Sequence, residues 1–294
     1  MKTDWSKGVQ VSTASLAINS ALALIKLTAG VTGNSYALIA DAIESLGDMI
    51  SSTVVWTGLV LASKPADKDH PYGHGKAEPL AALAVAIMLV GSAFLIAWQA
   101  IEEIRTPHQP PAAFTLIVLL LVVVVKESMY RYESRTGRQI GSTAVLVDAW
   151  HHRSDAITSA AAGIGIATAL LGGPGFEPAD DWAALVACVI ITFNAVHLSR
   201  TAISELMDTA PDSLLPEAIV PVAASVSGAK RVEKLLIRKM GPAYYVDLHL
   251  EVDGQLSVDE AHAISHKVKD AVLAHSPQIA DVLVHIEPFK PQAS

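Results

Sequence analysis

Phe114-Thr-Leu-Ile-Val-Leu-Leu-Leu-Val-Val-Val-Val125 contains no polar side chain except one threonine and ends at Lys126. A run of this kind belongs against lipid, and it sets the scale for reading the rest of the chain. A helix needs about 20 apolar residues to cross the hydrocarbon core. Comparable stretches cover 12–31, 36–62, 79–101, 112–130, 142–171 and 182–204, which predicts a bundle of six membrane-spanning helices. Composition agrees: of 294 residues 51% are hydrophobic and 17% charged, and the mean hydropathy is +0.40. These values place the chain among polytopic membrane proteins. The net charge of −8 gives no footing for nucleic acid. The single cysteine, Cys188, has no partner for an intrachain disulfide and reads as packing.

Lysine and arginine concentrate in short cytoplasmic loops. Lys2 and Lys7 precede the first span, Lys64, Lys68 and Lys76 follow the second, and Lys126, Arg131, Arg135 and Arg138 are read as the loop after the fourth. The alternate loops hold Arg105 and several acids. Both termini are therefore expected in the cytoplasm, and the N-terminal segment is read as a retained span, since its basic start is followed by no small-residue cleavage site.

Within this apolar background two segments carry ionisable groups at matched offsets: Asp41-Ala-Ile-Glu44-Ser-Leu-Gly-Asp48 and Asp148-Ala-Trp-His151-His-Arg-Ser-Asp155. Positions three, four and seven apart share a helix face, and an ionisable group in the bilayer is costly enough to imply a function. Glu44 and Asp48 on the second span with His151 and Asp155 on the fifth supply three carboxylates and an imidazole. That set suits tetrahedral Zn²⁺ and accepts Fe²⁺, Co²⁺, Cd²⁺ or Mn²⁺, because no thiolate imposes a soft metal. Asp41 and Asp148, a turn away, are read as supporting or proton-relay groups. The competing structural reading pairs these residues with one another, with Lys26 or with Arg153, locking the bundle.

A polar loop, Asp67-Lys-Asp-His70-Pro-Tyr-Gly-His74-Gly-Lys-Ala-Glu78, places Asp67, His70 and His74 where Gly73 and Gly75 let the backbone curl around one ion. After about Leu206 the composition turns charged and periodic, which divides the chain into a transport domain, 1–208, and a soluble domain, 209–294. A helix at 212–225, strands at 231–239 and 243–252, a helix at 258–275 entered through Ser257 and Glu260, and a strand at 281–287 give an α+β domain of order αββαβ. His249, His262, His266, His275 and His285 fall in this tail, so a cytoplasmic metal site is expected there.

The ensemble resembles the cation diffusion facilitator family of metal exporters: six spans, the acid pair on the second, His-x-x-x-Asp on the fifth, the Asp-x-x-His-x-x-x-His-Gly-Lys-x-Glu loop and the αββαβ tail. The resemblance covers almost the whole chain and points to the bacterial zinc- and iron-type exporters. It implies that Glu44, Asp48, His151 and Asp155 carry the ion, and that Asp67, His70 and His74 form an interfacial site. His249, His262, His285 and Glu287 would hold a binuclear site in a ferredoxin-like, metallochaperone-like tail, with Glu233 standing where such relatives often have histidine. Glu44 likewise replaces a frequent aspartate. An ion pair between Lys76 and Asp208 would join the domains, and the protein would work as a homodimer.

Function is then expected to be proton-coupled efflux of a divalent metal, Zn²⁺ first, across a bacterial inner membrane. Partners are the ion, protons, lipid and a second copy, with no cofactor beyond transported and regulatory metal ions. A metal sensor or scaffold anchored in the membrane is the second reading. An intramembrane metalloenzyme is disfavoured, because the sequence has no His-Glu-x-x-His.

Overall fold

The computed structural model describes residues 5–32, 36–105, 115–172, 179–211 and 214–289. The side chains of Asp41 and Glu44 are among those outside the description. The chain divides into two compact units, Trp5–Ile203 and Ser204–Ser294.

The first unit is built from helices α1 Trp5–Thr32, α2 Tyr36–Ala62, α3 Ala77–Arg105, α4 Thr115–Ile140, α5 Thr143–Gly172 and α6 Ala179–Leu206, whose last residues enter the second unit. Helix α1 packs chiefly on α2 and α4 on α5, while α3 lies against both α2 and α5. Among the described residues, α3 and the stretch Asp181–Leu206 of α6 are long and apolar enough to cross a membrane. The outer surface carries exposed Phe94 and Trp98 on α3, Ile117 and Leu120 on α4, and Val189 and Phe193 on α6. The interior also buries Ser12, Ser15, Asn19, Ser51 and Ser52 beside its apolar residues. Large exposed apolar surface over an interior that holds so many polar groups departs from the pattern of a water-soluble protein.

Close approach of helices depends on small side chains. A Cβ placed on Gly58 would overlap that of Ala81, so α2 and α3 touch backbone to side-chain stub. Beside this crossing, Val55, Leu59, Val85 and Val145 form a buried apolar layer.

The reading of 131–138 as a loop is corrected. Helix α4 runs on to Ile140, and Arg131 donates to Glu127 one turn back at 2.8 Å, an i,i+4 pair of the kind that sustains an exposed helix. The helix stops where Gly141 turns left-handed, φ 69°, and the Ser142 N–H donates to Gly137 O at 3.0 Å. Glycine is the residue that takes this conformation without steric cost. Ser142 Oγ then accepts from Val145 N at 3.2 Å and starts α5. The whole α4–α5 connection is Gly141-Ser142.

The second unit contains α7 Leu214–Ala224, β1 Arg231–Met240, β2 Ala243–Val252, α8 Val258–His275 and β3 Ile279–Pro288. The sheet order is β1-β2-β3. β1 and β2 pair antiparallel around Gly241-Pro242, and β3 returns parallel to β2 through the α8 crossover. The capping box of Ser257 and Glu260 is present at the start of α8. Period-two alternation sends Val246, Leu248 and Leu250 into the core with Ile219 of α7 and Val268 of α8, and turns Asp247 and His249 to the opposite face.

Replacing Leu248 by alanine should cost the second unit about 2–5 kcal/mol through the cavity left behind. Leu283→Ala, at an exposed β3 position, should stay within about 0.5 kcal/mol. Hydrogen exchange of the β2 amides in the full chain measures both.

Candidate metal centre

Asp48 on α2 and His151 with Asp155 on α5 meet inside the helical unit. His151 Nε2 lies 3.1 Å from Asp48 Oδ1 and 4.0 Å from Asp155 Oδ2, and one ligand atom from each falls within 4.8 Å of the others. The i,i+4 spacing of His151 and Asp155 aims both at α2. A cleft of about 100 Å³ opens onto the three side chains, lined also by Met88, Ser92, Ser154, Thr158 and Ile191. Two carboxylates and an imidazole with room beside them form a donor set for a borderline or hard divalent cation.

A fourth charged group, Lys126, which the charge pattern assigns to a loop, is central instead. Lys126 sits inside α4 and is 4% exposed. Its Nζ lies 2.5 Å from Asp48 Oδ2 and 2.9 Å from Asp155 Oδ2, and it donates to Asn19 Oδ1 of α1 at 3.4 Å. The available signal was continuity: the apolar run before Lys126 is too short to end a span, and Glu127 and Arg131 extend the helical spacing beyond it. Arg153, the other expected partner, stacks on Tyr130 with its guanidinium 4.4 Å from the ring centroid. Asp148 does not face the Asp48 group. It lies with Glu133 and His152, all three buried, their ligand atoms within 4.8 Å of one another. Asp41 and Glu44 lie outside the described side chains, as does Lys26.

In the segment between α2 and α3, Asp67 Oδ1 accepts from the backbone N–H groups of Asp69 and His70 at 3.0 and 2.7 Å. His70 Nδ1 and His74 Nε2 each approach the same carboxylate at 3.4 Å. Gly73, at φ 84°, makes the turn that brings the two rings together. The His70 backbone N–H holds the Asp67 carboxyl below the usual carboxylate range. Glu78 is buried at the start of α3 and accepts from the Ala144 backbone N–H at 3.4 Å. Lys76 and Asp208 belong to different units, and each is described only within its own.

In the second unit, parallel register sets His249 beside His285 and Glu251 beside Glu287. His249 Nδ1 and Glu287 Oε1 are 2.6 Å apart, and His285 Nε2 is 3.7 Å from the same oxygen. Glu233 occupies the bulge in β1 between Val232 and Lys234, and a bulge re-aims its side chain. Its carboxyl hydrogen-bonds Glu287, which together with the like charge raises the Glu233 pKa. The His249 hydrogen bond holds Glu287 low. His262 is not in this group: it lies on the exposed side of α8, 4.5 Å from His266 between ring centroids. Glu251 is buried by a bidentate pair with Arg231 at 2.7 and 2.8 Å.

Residues 12–207 match the family model described as cation efflux transmembrane domain, and residues 211–289 match that of the cation efflux protein, cytoplasmic domain. Metal tolerance protein 2 of Oryza sativa subsp. japonica is 34% identical, with 94% of this chain and 77% of that protein covered. The cation-efflux pump FieF of Serratia proteamaculans is 34% identical over 94% of this chain and 91% of its own length. The manganese efflux system protein MneP of Bacillus subtilis is 30% identical, with coverages of 95% and 96%.

Because the Glu233 carboxyl is raised on folding, it costs stability once pH rises through its folded value and costs none below the ordinary glutamate range, near ~4.3. Glu233→Gln should therefore raise the melting temperature of the second unit at pH 7 in chelator, and the gain should vanish in acid. Glu287 has the opposite sign: its pairing stabilises above the ordinary range and is lost as pH falls through its lowered value, so Glu287→Gln should lower the neutral-pH melt. Calorimetry of the full chain against pH reads both.

Proposed function

The chain belongs to the cation diffusion facilitator family of cation efflux proteins, membrane transporters rather than enzymes, and on that footing we propose that it exports Zn²⁺ from the cytoplasm in exchange for protons across a bacterial inner membrane. The observation carrying this reading is the buried convergence of Asp48, His151 and Asp155 around the Lys126 ammonium. A site that already holds one positive charge is built for cations, and its oxygen and nitrogen donors match Zn²⁺ while admitting Fe²⁺, Mn²⁺, Cd²⁺ and Co²⁺. Glu44 is the fourth ligand, one turn from Asp48 on α2.

In the metal-free state Lys126 neutralises the two aspartates. The incoming ion takes their oxygens and the His151 Nε2, and the ammonium gives way. Its return after release keeps the buried carboxylates compensated, since an unpaired charge at that depth is costly. Metal binding requires deprotonated ligands, so protons arriving from the far side compete for the same atoms. His151 is the coupling group, because an imidazole ordinarily titrates near ~6.5. The membrane potential adds about 2.3 kcal/mol per proton charge per 100 mV to inward proton movement. Asp41 and Asp148 support the site or relay protons.

The remaining clusters fit around this path. Asp67, His70 and His74 take metal at the surface between α2 and α3. Glu233, His249, His285 and Glu287, with His262 as the outlying expected member, form the regulatory site of the tail. The protein works as a homodimer of six-span protomers with both termini in the cytoplasm.

In proteoliposomes, Asp48→Asn should reduce Zn²⁺-driven proton exchange to the level of empty vesicles. Exchange at the unsubstituted rate would rule the site out. Lys126→Met should bind Zn²⁺ more tightly yet turn over about 10–100-fold more slowly, because release no longer has a replacement cation. Running the same assay with Zn²⁺, Fe²⁺, Mn²⁺, Cd²⁺ and Co²⁺ under an imposed pH gradient ranks the cargo, and Zn²⁺ is expected first.

A further inference from the structure

The α5 segment from Asp148 to Asp155 carries two interleaved i,i+4 pairs. His151 and Asp155 face Asp48, while Asp148 and His152 are turned onto an adjacent face, about 100° of helix rotation per residue. This second face meets different neighbours. His152 Nε2 lies 2.8 Å from Ser15 Oγ of α1 and 3.5 Å from Glu133 Oε1 of α4. Asp148 Oδ1 accepts from Ser51 Oγ of α2 at 3.4 Å.

Glu133, Asp148 and His152 are 2%, 1% and 0% exposed. Glu133 Oε2, Asp148 Oδ2 and His152 Nδ1 are all buried without a hydrogen-bond partner among the described residues. No lysine or arginine among those residues pairs with either carboxylate, in contrast to Asp48 and Asp155, which share Lys126. Two carboxylates facing one another in a dry interior repel, and each unmet polar atom adds a desolvation cost. A cation of charge +2 held by both and by the imidazole removes both penalties, and the hydroxyls of Ser15 and Ser51 stand ready as further oxygen ligands.

The placement gives the cluster a role. Glu133 follows Lys126 by seven residues, about 10 Å along α4 toward the Gly141-Ser142 connection. Ser51 follows Asp48 by three on α2, and Asp148 precedes His151 by three on α5, toward the same end of the bundle. The cluster therefore lies between the Asp48 group and the surface that carries the α2–α3 and α4–α5 connections.

We propose that Glu133, Asp148 and His152 form a second buried divalent-cation site, where an ion waits between that surface and the Asp48–His151–Asp155 group. The identity of the ion rests on the efflux reading; the existence of the site does not.

Cd²⁺ alone serves as the probe. Anomalous diffraction from the unsubstituted full chain loaded with Cd²⁺ should show a peak between Glu133, Asp148 and His152 as well as one at Asp48–His151–Asp155. A peak at the Asp48 group alone overturns this proposal and leaves the cluster as a hydrogen-bonded tie between helices. Peaks at neither place overturn it together with the transport-site assignment. A peak at the Glu133 cluster alone upholds this proposal against that assignment. In solution, equilibrium dialysis of the full chain should lose one Cd²⁺ per protomer with Glu133→Gln, a different one with Asp48→Asn, and both in the double variant. An unchanged count with Glu133→Gln overturns the proposal. If that variant fails to fold, diffraction from the unsubstituted chain still decides.

Discussion

A lysine ammonium buried among helices must be paired, and in this bundle the pairing of Lys126 determines what else is possible. Its Nζ reaches Asp48 of α2, Asp155 of α5 and Asn19 of α1 from its own place on α4, so four helices are held in one register by one side chain. Removing either partner would strand charge in a low-dielectric interior, which costs far more than the loss of an apolar contact. Apolar packing in a membrane sets no comparable register, because lipid competes for the same surfaces. The carboxylates that form the candidate metal centre are thus also the ones that position the helices.

Much of this was legible in the sequence, and the omissions have physical causes. The i,i+4 spacing of His151 and Asp155, the loop of Asp67, His70 and His74, and the alternation of β2 are local periodicities, and local periodicity survives in a single chain. Lys126 was misread because the positive-inside rule treats a basic residue beyond an apolar run as loop, whereas α4 continues for more than three turns and buries the charge. Glu133 and His152 were passed over for a similar reason: one lies in a charged stretch and the other beside a more conspicuous histidine, and their convergence depends on how α4 meets α5. Glu233 was identified from the family pattern, but its approach to Glu287 follows from a bulge that shows no periodic signal. His262, which resemblance groups with the tail site, lies on the exposed side of α8 beside His266, because its place is set by helical rather than strand periodicity.

The sheet of the C-terminal unit positions its donors by register alone. His249 and His285 are partners across a parallel pair, so their rings stand side by side, and the bulge in β1 supplies a carboxyl from the remaining strand. The residues that build the core, Val246, Leu248 and Leu250, alternate with those that bear the chemistry. A shift of one residue would exchange the two sets, so correct folding of the hydrophobic face and assembly of the donor cluster are the same event.

The connection of α4 to α5 through Gly141-Ser142 has a mechanical implication. With so short a joint and extensive packing between them, α4 and α5 form a hairpin, while α1 and α2 form a second close pair. Beside the apolar layer of Val55, Leu59 and Val145, the seam between the pairs carries a set of polar contacts: Lys126 and His151 to Asp48, Lys126 to Asn19, His152 to Ser15, and Asp148 to Ser51. Hydrogen bonds and ion pairs of this kind can be exchanged one for another with little change in packing, as interdigitated leucines cannot. Shear along that seam would carry Lys126 and Asp155 together while sliding both past Asp48, so relative motion of the two helix pairs and separation of the Asp48, His151 and Asp155 donors would be a single displacement.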